Sequence, residues 1–136
     1  MKKKQWLGLI LILILGGVVR FWRLGETPKG FYLDEAALGY NALSIMETGK
    51  DEYGMSWPVL FRSFADFKAP VYTYLLIPIY KILGVSVWST RILSTIAGMV
   101  IIWLSFWLVK NLSKNIRLSL IITLLMAISP WQIIFS

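Results

Sequence analysis

The chain has 136 residues, of which 57% are hydrophobic and only 15% are charged, and its mean hydropathy is +0.68. A soluble domain is usually about 45–50% apolar and about 25% charged, so the composition indicates a membrane protein. The sequence contains no cysteine and no histidine, which excludes disulfides, thiol nucleophiles, Cys/His zinc sites and Ser-His-Asp catalysis. Acid–base chemistry must use the seven carboxylates, and any metal would be a hard cation bound by oxygen.

The net charge of +7 is unevenly distributed along the chain. All seven acids lie between Glu26 and Asp66, while the stretches on either side carry only lysine and arginine. Basic flanks around apolar runs are typical of cytoplasmic loops in membrane proteins. Nucleic-acid binding would need many phosphate contacts on one face, and the sequence shows no such patch, so we expect no nucleic-acid partner.

The first apolar run covers residues 6–19 and extends to 22 if Arg20 reaches the membrane interface. The run ends in the sequence Gly-Gly-Val-Val-Arg at residues 16–20, without a small-residue cleavage site. We therefore predict an uncleaved signal anchor rather than a signal peptide.

The next segment, residues 23–86, holds every acid and all six tyrosines. Loops this long are usually functional or disordered, and its many aromatic residues argue against disorder. Within it we predict a helix that begins with Asp34 as N-cap and ends at Gly49. A second helix over 71–83, with Pro70 as its first residue, is predicted to lie at the membrane interface.

Two further spans are predicted at residues 87–108 and 118–134. Three spans place the amino terminus and the loop 111–117 together in the cytoplasm, whereas counting 71–83 as a fourth would put the basic loop outside. The predicted fold class is therefore all-α integral membrane, with about three transmembrane helices and a long external loop, about 23–86, that contains juxtamembrane helices. The expected location is the plasma (inner) membrane, multi-pass, with the amino terminus cytoplasmic.

Asp34 and Glu35 allow two interpretations. Either Asp34 caps a helix while Glu35 complements the helix dipole, or Asp34 accepts a proton from an incoming nucleophile. Neighbouring helical residues point about 100° apart, so this pair does not form the facing carboxylates of a glycosidase. Asp34 with Asp66 leaves that arrangement open.

Lys68 and Arg91 are the basic candidates. Lys68 is either a solvated charge beside Asp66 or a phosphate ligand, and Arg91 either reaches the interface or binds the same phosphate. An arginine inside a span is a functional candidate by default.

Seven ordered blocks of the sequence resemble the amino-terminal region of bacterial protein-mannosyltransferase-like enzymes. Two of them are Gly30-Phe31-Tyr32-Leu33-Asp34-Glu35-Ala36 and Phe64-Ala65-Asp66-Phe67-Lys68-Ala69-Pro70-Val71-Tyr72. The others fall within residues 20–21, 24–28, 39–42, 48–54 and 84–91. These enzymes are polytopic glycosyltransferases that use polyprenyl-phosphate-linked sugars.

The resemblance implies a role for each candidate. Asp34 and Glu35 match the Asp-Glu motif, so Asp34 would deprotonate or orient the acceptor hydroxyl, with Glu35 beside it. Lys68 matches the basic residue of a Lys-Pro-Pro-like motif, which here reads Lys-Ala-Pro, and Arg91 matches an arginine at the head of the second span. Both would contact the lipid-linked phosphate. The implied partners are a polyprenyl-phosphate-linked sugar, a hydroxyl acceptor on a protein, glycan or lipid, and membrane lipid. No residue is assigned to a metal, and a divalent cation is left open.

Members of that family are several hundred residues long. We therefore expect an amino-terminal fragment, residues 1–136 of a polytopic enzyme, that is inactive alone. Two alternatives stay open: a small non-catalytic accessory protein for lipid-linked sugars, and an inactive truncated remnant.

Overall fold

A computed structural model describes residues 3–26, 29–63 and 66–134. The described chain is mostly helical, as predicted. Its helices are α1 (Lys3–Phe21), α2 (Leu33–Thr48), α3 (Pro70–Leu83), α4 (Val87–Ser113), α5 (Ile116–Ile128) and α6 (Pro130–Ile134), and its strands are β1 (Phe61–Ser63) and β2 (Asp66–Lys68). The chain divides into two compact units, one formed by residues 1–24 and 94–136 and the other by residues 25–93.

Two of the described helices, α1 and α4, are long and apolar enough to cross a membrane. With a rise of 1.5 Å per residue, 19 and 27 residues extend about 28 and 40 Å, against a hydrocarbon core about 30 Å thick. They coincide with the first two predicted spans and extend each of them.

The third predicted span, 118–134, is not one helix. Helix α5 ends at Ile128, and Ser129 takes an extended conformation (φ −62°, ψ 121°) before α6 begins at Pro130. The proline ring disfavours a helical conformation in the residue before it. Only 13 residues remain in α5, about 20 Å by the helical rise.

In the first unit, α1 packs against α4 and α5 around Ile12, Ile102 and Ala127. Arg20 is buried near the end of α1, and its Nη1 donates to the carbonyl of Ala127 at 2.8 Å. The guanidinium thus binds an unpaired carbonyl in the last turn of α5, where a cation is favoured by the helix dipole. The sequence analysis considered Arg20 only as a side chain that reaches the membrane interface and did not predict this contact with Ala127.

In the second unit, α2 packs against α3 around Ala42, Leu76 and Tyr80. Helix α2 ends at Gly49 in the left-handed conformation, with φ +72°, and α3 begins at Pro70. The predicted end of the first of these helices at Gly49 and the predicted start of the second at Pro70 are both confirmed.

Between α2 and α3 the strands β1 and β2 pair antiparallel, with Phe61 opposite Lys68 and Arg62 opposite Phe67. The sequence analysis missed this hairpin, because two strands of three residues give no alternating pattern long enough to read. Residues 27 and 28 of the block 24–28, and residues 64 and 65 of the block that carries Lys68, lie outside the described residues.

Candidate functional site

The amino-terminal turn of α2 carries both acids of the Asp-Glu motif. Tyr32 occupies the N-cap position, with an extended backbone, so Asp34 and Glu35 are the second and third residues of the helix. Glu35 Oε2 accepts a hydrogen bond from the backbone N–H of Tyr32 at 3.1 Å, as the third residue of a capping box does. The predicted N-cap role of Asp34 is therefore wrong, because Glu35 reaches back to cap the helix and leaves Asp34 for another partner.

Glu35 is also held by Arg91, from the first turns of α4. Arg91 Nε donates to Oε1 at 3.0 Å, and Nη2 donates to Oε2 at 2.9 Å. The same Nη2 donates to the carbonyl of Gly30 at 2.7 Å. Two parallel bonds between a guanidinium and a carboxylate give a strong, directional ion pair. Arg91 is thus a buried partner of Glu35 rather than a side chain that reaches for the interface.

Asp34 forms the second ion pair, with Lys68 Nζ donating to its Oδ1. Lys68 ends β2, so the hairpin that the sequence analysis missed is what carries the lysine to the start of α2. The alternative of Lys68 as a solvated charge is also corrected, since only 20% of its side chain is exposed. The side chain of Asp66 lies outside the described residues, and so does any pairing of Asp34 with Asp66.

Accessibility distinguishes Asp34 from the other three side chains of the two pairs. The side chain of Asp34 is 75% exposed, whereas Glu35 is 31%, Lys68 20% and Arg91 only 5% exposed. A carboxylate that water reaches can also meet a substrate. Asp34 is therefore the accessible acid of the site, and Glu35, held by the buried Arg91, supports it.

A second set of bonds holds α2 to the loop that follows it. Asn41 Nδ2 donates to Glu52 Oε1 at 3.0 Å, and the backbone N–H of Glu52 donates to Asn41 Oδ1 at 3.1 Å. Asn41 is buried in the middle of α2. Both residues belong to motif blocks of the sequence, and a buried mid-helix asparagine is the signal that could have identified this contact.

Helices α3 and α4 meet through tyrosine hydroxyls behind the site. Tyr80 Oη and Thr90 Oγ1 lie 2.6 Å apart, and Tyr72 Oη donates to the carbonyl of Thr90 at 2.7 Å. Thr90 precedes Arg91, so these bonds fix the turn of α4 from which Arg91 reaches Glu35.

The donor set at the site does not resemble a metal centre. Across residues 3–26, 29–63 and 66–134, no three acidic side chains group as ligands of a cation would. The two acids of the site are each engaged by a basic side chain. The divalent cation that the resemblance left open stays a prediction.

Two of the described helices, α1 and α4, are long and apolar enough to cross a membrane, and the two acid–base pairs lie in the sequence between the end of α1 and the first turns of α4. The model of the dolichyl-phosphate-mannose-protein mannosyltransferase family matches residues 10–136, and the chain belongs to that family. This confirms the resemblance drawn from the motifs and makes the chain a member of a glycosyltransferase family. No curated protein and no solved structure gives a match.

Proposed function

We propose that this chain provides the acceptor-activating part of a membrane glycosyltransferase that moves a mannose-like sugar from a polyprenyl phosphate to a hydroxyl group. Membership of the mannosyltransferase family supports this donor and a protein acceptor. The observation that carries the proposal is the exposed carboxylate of Asp34, paired with Lys68, next to Glu35, which Arg91 holds in place. The basic flanks of the chain support a site on the external face of the plasma membrane.

In this proposal Asp34 is the general base and Glu35 keeps it in place. Asp34 Oδ accepts the proton of the acceptor hydroxyl, for which its exposure leaves room. Glu35 is committed to the backbone of Tyr32 and to Arg91. These bonds fix the turn that carries Asp34.

The transfer step forms one bond, breaks one bond and moves one proton. The acceptor oxygen forms a bond to the anomeric carbon, the bond from that carbon to the phosphate oxygen breaks, and the phosphate leaves with the electron pair. The acceptor proton passes to Asp34, which becomes neutral. Lys68 then loses its counter-charge just as the leaving phosphate gains one, so the lysine stabilises the phosphate where charge develops. Arg91 adds a fixed positive charge nearby.

The test is transfer by the native gene product in its own membrane, with a polyprenyl-phosphate mannose donor and a hydroxyl-bearing peptide. Asp34→Asn preserves size and hydrogen bonding but cannot take the proton, so we expect a loss of roughly 10²- to 10⁴-fold in turnover. Glu47→Gln removes an exposed acid from the same helix and should leave the rate unchanged. Wild-type turnover in Asp34→Asn would refute the proposal.

A further inference from the structure

A cavity of about 620 Å³ opens in the first unit, where the amino-terminal turn of α1 meets the start of α5. Three of the side chains that line it are basic and two are apolar. The lining residues are Lys3, Lys4, Gln5, Ile116, Arg117 and Leu120. This combination of charge and hydrocarbon is absent from the Asp34 site, so the cavity calls for its own explanation.

The positive charge of the cavity has no acid to balance it within its own unit. Residues 1–24 and 94–136 contain no aspartate and no glutamate. The three basic side chains are exposed, and like charges around one cavity repel each other unless an anion lies among them. Asn115 Oδ1 already accepts from the backbone N–H groups of Arg117 and Leu118. An anion in the cavity would therefore be held by the basic side chains rather than by these N–H groups.

Tryptophan side chains indicate the depth of the cavity in a membrane. Trp6 follows Lys3 by three residues, about 4.5 Å along the axis of α1. Its ring packs edge-on against Trp107 of α4 with the centroids 6.4 Å apart, and Trp107 meets Trp103 in the same way. Tryptophan concentrates at the headgroup level of a bilayer. We therefore expect the basic side chains at the level of the lipid phosphates and Leu120, in the second turn of α5, toward the acyl chains.

We propose that this cavity binds the phosphodiester headgroup of an anionic phospholipid, in the leaflet at the amino-terminal end of α1. In the predicted topology this is the cytoplasmic leaflet, where basic pockets between helices suit such headgroups. Lys3, Lys4 and Arg117 pair with the phosphate, while Ile116 and Leu120 contact the first part of an acyl chain. The bound lipid joins α1 to α5. The inference is independent of the proposed sugar transfer, because it uses none of the residues assigned to that reaction.

Native mass spectrometry of the purified full chain in a nonionic detergent provides the assay, because it counts bound phospholipid directly. The chain is titrated with dioleoylphosphatidylglycerol and, separately, with dioleoylphosphatidylcholine, which has the same acyl chains and no net charge. We expect the anionic lipid to bind roughly tenfold more tightly or better. The soluble headgroup analogue glycerol 3-phosphate should not displace it, since it has no hydrocarbon to cover the apolar wall.

The double variant Lys4→Gln/Arg117→Gln removes two charges from the cavity. A basic residue near an anionic lipid surface contributes about fivefold in affinity, so we expect the affinity for dioleoylphosphatidylglycerol to fall roughly 25-fold. Lys110→Gln/Lys114→Gln is the matched control, because it removes the same charge just before α5 begins and neither residue lines the cavity. Lys110 Nζ lies instead over the ring of Trp107, 4.2 Å from its centroid. The control should change the affinity less than about threefold.

Two more variants separate charge from packing. Lys4→Arg/Arg117→Lys keeps both charges and should keep the affinity. Circular dichroism checks the fold of each variant. If the neutral double variant does not fold, the single Arg117→Gln variant, at an exposed position, carries the test with an expected loss of about fivefold.

Equal weakening in the two neutral double variants would show attraction to net charge alone and overturn the proposal. Equal binding of the two lipids would overturn it as well. Displacement of the lipid by glycerol 3-phosphate would assign the cavity to a soluble phosphate and also overturn it. No sugar transfer is measured, so each of these results leaves the proposed function to its own test.

Discussion

Arg91→Met tests the buried half of the site. The substitution removes two bonds to Glu35, at 3.0 and 2.9 Å, and one to the carbonyl of Gly30 at 2.7 Å. Breaking a fully buried ion pair costs about 3–5 kcal/mol. Because Glu35 stays 31% exposed, water recovers part of that, and we expect a loss of about 2–4 kcal/mol in the free energy of unfolding. At 1.4 kcal/mol per tenfold, the middle of that range raises the unfolding constant about 100-fold.

The assay is denaturant unfolding of the detergent-solubilised chain, followed by circular dichroism. Arg91→Lys keeps the charge but loses the two-bond geometry, so it should recover less than half of the loss. Arg62→Met is the matched control, because Arg62 is exposed and its guanidinium lies over the ring of Tyr53, 5.4 Å from the ring centroid. That control should cost less than about 1 kcal/mol. An Arg91→Met protein as stable as Arg62→Met would refute the structural role of the Glu35–Arg91 pair.

Three further predictions concern the unit of residues 25–93 and use the same unfolding measurement. In Gly39→Ala, the added Cβ would lie 2.6 Å from Tyr80 Oη, so we expect a loss of about 1–3 kcal/mol from overpacking. Gly49→Ala places a side chain at φ +72° and should cost about 1 kcal/mol. Burial, and then the negative charge of Asp51, raise the pKa of Tyr74 above its ordinary value of 10.0. The neutral phenol therefore stabilises the fold below about pH 10. This contribution is lost as the pH rises through the raised pKa, and Tyr74→Phe should remove that alkaline loss.

Each of these predictions has its own control or contradicting result. Gly8→Ala adds a Cβ 3.5 Å from Leu120, an ordinary contact, so it should leave stability unchanged or slightly raised. Gly39→Ala must be less stable than this control. Gly49→Asn should cost less than Gly49→Ala, since asparagine tolerates the left-handed region. Stability between pH 9 and 12 that falls equally in wild type and Tyr74→Phe would contradict the role assigned to that phenol.

The sequence predicted the parts of the fold that depend on local rules. Gly49 ends α2 because only glycine enters the left-handed region freely, and Pro70 begins α3 because its missing N–H has no partner in a first turn anyway. Both positions were read correctly. The apolar runs that became α1 and α4 were equally clear.

What the sequence could not predict depends on contacts between distant residues. Asp34 and Lys68 lie 34 positions apart, and Glu35 and Arg91 lie 56 apart. No local pattern says which acid meets which base, so the pairing came only from the structure. The N-cap prediction failed because the helix begins two residues earlier than predicted, with Tyr32 at the N-cap and Glu35 closing the capping box.

The most direct test of the account measures mannose transfer by the native gene product in three variants: Asp34→Asn, Lys68→Met and the double substitution. Residues that act as one unit give strongly non-additive losses. We predict that the double variant is about as slow as Asp34→Asn alone, because Lys68 assists the leaving phosphate only when Asp34 takes the proton. A double variant slowed by the product of the two single effects, or one that transfers at the wild-type rate, would contradict the account.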